Sequence, residues 1–132
     1  MNKSNIIEIL NESGLSEVEV LRENEDLLFV NFYFDFDKDI LDAAKAYAND
    51  ESDEEEESED WFSNYYFPYL YDFANDEVLE IIEEISEEEE VAGEMMAIQM
   101  TKKTSNYVQF MALFTEEDGN LSIEEVVKDY MS

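Results

Sequence analysis

Negative charge is the constraint that every fold of this chain has to satisfy. Between Asp50 and Asp60 all residues except Ser52 and Ser58 are acidic, and a second run covers Glu87 to Glu90. Like charges three and four residues apart each cost a helix about 0.2–0.5 kcal/mol. The first run is therefore expected as a frayed helix end or a mobile acidic segment at about 50–60. Carboxylates at a helix C-terminus oppose the macrodipole, so the second run is expected to fray as well. Over the whole chain 37 Asp and Glu stand against seven Lys and Arg, a net charge of −30 in 132 residues. An apolar fraction of 45% still supplies a packed core, which argues against disorder throughout.

The apolar residues alternate between two periods. Ile6, Ile9 and Leu10 share one helical face, with Asn5 as N-cap, Glu8 completing a capping box and Gly14 ending the helix. Glu17 to Val20 alternate as a strand, and Asn24, Glu25 and Asp26 supply a turn. The next strand reads Leu28, Val30, Phe32, Phe34 and Phe36 on one face. Its other face, Leu27, Phe29, Asn31, Tyr33 and Asp35, is mixed. Partial covering by another element is the expected arrangement there, and a face available to a partner, such as a second copy in a homodimer through Phe29 and Tyr33, is the alternative.

Asp37 is placed to cap a helix from Lys38 to about Asn49. An aromatic stretch from Trp61 to Phe73 contains the single proline, Pro68, which predicts a kink or break between two helical pieces. Val78, Ile81, Ile82 and Ile85 continue as an amphipathic helix. A second hairpin is read from Met96, Ile98 and Met100, a loop at Lys102 to Asn106, and the alternation Val108, Phe110, Ala112, Phe114. After a turn at Asp118 to Asn120, Ser122 with Glu125 caps a last helix through Tyr130. The expected fold class is α+β: one domain over residues 1–132, about four antiparallel strands in two hairpins, and helices packed mainly on one face.

Composition excludes much chemistry. Without Cys or His there is no thiolate nucleophile, imidazole base, zinc finger or Ser-His-Asp triad. Asp35, Asp37 and Asp39 imitate the start of a calcium loop, as do Glu116, Asp118, Asn120 and Ser122. Ile40 and Leu121 stand where the required Gly belongs, and Ala46 and Val127 where the bidentate Glu belongs. A strand-to-helix corner and a capped turn explain both. Glu83, Glu84, Glu87 and Glu88 could collect divalent ions loosely, but no motif around the seven Lys and Arg suggests catalysis. No enzyme, cofactor or metal site is expected.

Nor is there a signal peptide or a run of about 18 apolar residues. A cytoplasmic location is the default, and the absence of cysteine is compatible with it. Direct binding to nucleic acid or an anionic membrane is opposed by the sign of the charge.

The magnitude of that charge is informative. Duplex DNA carries one charge per ~1.7 Å of axis, so 30 charges correspond to about 51 Å, or ~15 base pairs. A domain of this length is about 36 Å across, the length of duplex that holds ~21 charges. Solubility asks for a net charge of only about 2–8. The leading expectation is a non-enzymatic acidic inhibitor that presents carboxylates where phosphates would lie. Its partner would be a basic, nucleic-acid-handling protein such as a CRISPR or restriction effector. The alternatives are an immunity protein that neutralises a basic nuclease toxin, or an acidic cytosolic domain whose charge is incidental. Candidate partner-binding carboxylates are Asp50, Glu51, Asp53 and Glu54 in the first run. At the helix end they are Glu83, Glu84, Glu87, Glu88, Glu89 and Glu90. Trp61, Tyr65, Tyr66 and Tyr69 are the candidate aromatic anchors, with core packing as the competing role for that stretch.

Overall fold

The computed structural model describes residues 1–116 and 122–131. Four strands form one antiparallel sheet: β1 (Ser16–Asn24), β2 (Leu27–Asp35), β3 (Val91–Ala97) and β4 (Tyr107–Glu116), in the order β1-β2-β4-β3. The two hairpins β1-β2 and β3-β4 meet along β2 and β4, which pair without interruption from Leu27↔Thr115 to Asp35↔Tyr107. The central strands are the most apolar, as their burial on both faces requires. The α+β architecture and the pair of hairpins are as the alternation implies.

Helices α1 (Lys3–Glu12), α2 (Lys38–Glu51) and α4 (Phe67–Glu89) lie on one side of the sheet. There Ile6, Leu10, Leu28, Val30, Phe32, Leu70, Val78, Ile82, Phe110 and Phe114 form the main core. Helix α5 (Ile123–Met131) covers the opposite side, where Ile123 and Val126 close over Leu27, Phe29, Met111 and Leu113. The Leu27 and Phe29 end of the mixed face of β2 is thus covered from within the chain, whereas Tyr33 is half-buried and Asp35 exposed. Phe29 is 0% exposed and meets the Tyr130 ring edge-on at 5.8 Å, so it is not available as a dimer contact. Farther along that face, Asn31 is buried and its Oδ1 accepts a 2.7 Å hydrogen bond from Gln109 Nε2.

Three local expectations are corrected. Helix α1 starts earlier than the Asn5–Glu8 box implies: Asn2 is the N-cap, and its Oδ1 accepts from Asn5 N at 3.0 Å. Strand β3 spans Val91–Ala97 rather than centring on Met96 to Met100. Gly93 sits in its middle because an added Cβ would fall 2.6 Å from Ser86 Oγ and 2.8 Å from Ile82 Cγ2, both on α4. That missing side chain interrupts the apolar alternation by which a strand is recognised.

Pro68, finally, does not break the chain into two helices. A one-turn α3 (Glu59–Trp61) runs into a π-helical segment, Phe62–Tyr66, and on into α4. The wider turn, with Phe67 N donating to Phe62 O, places Pro68 in the first turn of α4, where its missing N–H costs nothing. Several caps match expectation. Asp37 Oδ1 accepts from Ile40 N at 2.9 Å, Ser122 Oγ accepts from Glu125 N at 3.3 Å, and Gly14 takes φ +87° after α1.

Candidate functional site

The outer face of α4 carries the densest ordered array of carboxylates. Its inner face is set by Leu70, Ala74, Val78, Ile82 and Ile85, all buried. At about 100° per residue, Asp72, Asp76, Glu80, Glu83 and Glu87 form a row directly opposite that apolar stripe. Glu77, Glu84 and Glu88 make a second row beside it. All eight side chains are exposed, α4 contains no Lys or Arg, and none of the eight forms an ion pair among the described residues.

From Asp72 to Glu88 the helix rises about 24 Å at ~1.5 Å per residue. Counting both rows, which lie about 100° apart around the helix, that gives one carboxylate per ~3 Å of axis, and about 5–6 Å within the first row alone, against one phosphate per ~3.4 Å along a single strand of B-DNA. Of the anticipated residues, Glu83, Glu84, Glu87 and Glu88 lie in this array. Asp72, Asp76, Glu77 and Glu80 complete it, and their three- and four-residue spacing is visible in the sequence.

The anticipated helix end divides into two roles. Glu89 is half-buried and turned toward α1: its Oε1 accepts from Asn2 N at 3.1 Å and its Oε2 from Asn5 Nδ2 at 2.7 Å. It thereby performs, from across the fold, the task that a capping box assigns to an acid of the same helix. Glu90 adopts the left-handed conformation (φ 56°, ψ 48°) that ends α4, and its N–H donates to Ser86 O. The Glu89 carboxylate thus serves the chain's own folding and is not an outward-facing charge, whereas Glu90 acts through its backbone and its side chain is exposed. The end is capped rather than left without partners.

The run from Asp50 to Asp60 is not one uniform surface. Asp50 and Glu51 belong to the last turn of α2, and Asp53 and Glu54 are exposed in the loop beyond it. Glu56 Oε1 lies 2.9 Å from Lys45 Nζ on α2. Hydrogen bonding and the charge of Lys45 hold the Glu56 carboxyl below its ordinary pKa, and Glu56 raises that of Lys45. Ser58 Oγ accepts from Trp61 N at 3.2 Å and caps α3.

Trp61 is corrected from anchor to core residue. It is 2% exposed, its Nε1 donates to Asn49 Oδ1 at 3.0 Å, and its ring stacks on Tyr66 at 4.9 Å. With Phe62 and Ala48 it forms a separate apolar cluster under the start of the π-helical segment. Tyr65 and Tyr66 are half-buried against the same cluster, and burial pushes the Tyr66 phenol above its ordinary pKa. Tyr69 stays half-exposed and packs at 5.3 Å against Tyr47 of α2, which is 41% exposed.

The first calcium-loop imitation is accounted for by local structure. Ser16 Oγ donates to Asp35 Oδ2 at 2.6 Å and Asp37 caps α2, so these two acids serve the strand-to-helix corner. Most of the second imitation, with the turn at Asp118 to Asn120, lies outside the described residues. Among the described residues no group of Asp and Glu has metal-binding geometry, and no helix is long and apolar enough to cross a membrane. No known protein family, curated protein or solved structure matches this chain.

Proposed function

We propose that the chain is a nucleic-acid mimic: a non-enzymatic inhibitor that occupies the phosphate-binding surface of a basic, nucleic-acid-handling protein such as a CRISPR or restriction effector. The observation that carries this reading is the array on α4, eight exposed carboxylates without a basic neighbour in the helix, at a linear density close to that of one DNA strand. A rigid helix holds such a pattern without the ordering cost that a mobile segment would meet on binding. The charges steer the encounter and pair with Lys and Arg of the target, and apolar contact fixes the register.

The test is competition. Basic proteins captured from the host at low salt are titrated with labelled duplex in the presence of the parent chain or a Glu80, Glu83, Glu84, Glu87→Gln variant. The parent is expected to displace the duplex from its target, with affinity that falls steeply as salt rises, and the variant to do so at least tenfold less well. Equal displacement by both would refute a role for α4. A target that is a nuclease encoded beside this chain would assign the same surface to immunity against a toxin.

A further inference from the structure

At its N-terminal end the α4 array opens onto a groove of about 320 Å³ between α2 and α4, lined by Tyr47, Pro68, Tyr69, Asp72, Phe73 and Asp76. We propose that this groove is a receptor for an arginine side chain of the basic partner; the inference rests on the mimic reading and names the group that α4 engages.

Three observations converge on a planar cation. The walls are aromatic: Tyr47 and Tyr69 meet at 5.3 Å with their planes 34° apart, and Phe73 is held from behind by Phe34 at 6.0 Å. A ring pair left this open offers its faces to a guanidinium, whose plane can lie flat on an aromatic surface in a way the compact ammonium cannot match. The rim is anionic, since Asp72 and Asp76 stand one helical turn apart, are both exposed, and form no ion pair among the described residues. Their carboxylates suit the fork of donors on a guanidinium. The one remaining lining residue, Pro68, carries no charge, so none of the lining residues repels a cation. Asp72 and Asp76 are also the first two members of the α4 row, so a chain seated along that row by Lys and Arg would bring one side chain to the groove.

Nona-arginine and nona-lysine, of equal charge, separate this inference from the mimic reading. Affinities are measured by calorimetry at 0.15 M salt for the parent, Tyr47→Leu, and a Glu83→Gln/Glu87→Gln variant. Aromatic ring signals are followed by NMR in the parent. The parent is expected to prefer nona-arginine by about fivefold, the size of a partly desolvated cation–π contact. The preference should shrink to less than twofold in Tyr47→Leu, whose site is exposed enough to tolerate the change. The glutamine variant should lose affinity for both peptides and keep the preference. Tyr47 and Tyr69 ring signals should shift with arginine and not with lysine. Equal binding of both peptides, or a preference that Tyr47→Leu leaves intact, would overturn the groove while the salt-dependent array stands. Failure of both peptides to bind would overturn both readings.

Discussion

Replacing Glu80 by Gln should make this protein more stable and a poorer mimic at once. Glu80 is the one position on α4 with acids at all four helical neighbours: Asp76 and Glu84 four residues away, Glu77 and Glu83 three away. Each like-charge pair costs about 0.2–0.5 kcal/mol in an exposed helix. Removing four pairs is therefore worth about 0.8–2 kcal/mol at low ionic strength, and Gln has nearly the helix propensity of Glu. For a chain of this length that corresponds to a rise in Tm of about 3–8 °C. The assay is thermal unfolding followed by circular dichroism at ~20 mM and at ~1 M salt. Screening over ~3 Å at the higher salt should abolish most of the gain. A gain that persists at high salt would have a cause other than charge relief. No gain at low salt would show that the carboxylates of α4 are far enough apart, or well enough hydrated, that the array costs the fold nothing. In that case the argument that the charge is retained for a partner would lose its energetic basis.

Four further outcomes are expected. Gly93→Ala should destabilise the fold by about 1–3 kcal/mol, read as a lower urea midpoint at unchanged slope, because its Cβ would lie 2.6 Å from Ser86 Oγ and 2.8 Å from Ile82 Cγ2. In an NMR titration Glu56 should ionise below the usual carboxylate range and return to it in Lys45→Met. Since its folded pKa is the lowered one, the pair's contribution is present above the ordinary carboxylate pKa and fades as pH falls through the folded value. Fluorescence of the single Trp61 should resist acrylamide quenching and stay unchanged when a partner binds; a change on binding would restore it as an anchor. Val126→Asp, which places a charge under α5, should loosen that helix, expose Leu27, Phe29, Met111 and Leu113, and produce oligomers visible by light scattering.

How much of this was legible in the sequence depended on how local the determining contact is. The β1-β2 hairpin and the starts of α2 and α5 rest on alternation and on caps three residues from the groups they satisfy, and they were read correctly. Strand β3 was displaced because Gly93 answers to α4, a partner more than a turn of chain away in sequence, and leaves a gap in the apolar pattern. Trp61 takes the core role that its aromatic stretch allows, but nothing in its sequence neighbourhood announces that Asn49 accepts its indole N–H. Glu89 was grouped with its acidic neighbours because its hydrogen-bond donors, Asn2 and Asn5, lie at the other end of the chain. The outward row on α4 lies wholly beyond Pro68, and its three- and four-residue spacing from Asp72 to Glu87 is legible in the sequence alone. A π-helical turn that absorbs a proline leaves no simple sequence signal.

The clamp that Glu89 places on the first turn of α1 limits what the acidic helix can imitate. With one end tied to α1 and the other seated on the aromatic cluster, α4 is a ruler fixed at both ends. Its graduations, fixed by the helical repeat, cannot be stretched or wound to suit a target. A DNA strand is itself wound, and over about 24 Å, or ~7 base steps, its phosphates travel most of the way around the duplex axis. A row laid along one helix can keep step with them over only part of that path, like a vernier that coincides at a few marks. On the mimic reading proposed above, the footprint on a target would therefore be short. A target with a wide basic channel would be blocked at one segment of it, and the rest of the channel would remain open to nucleic acid that cannot pass.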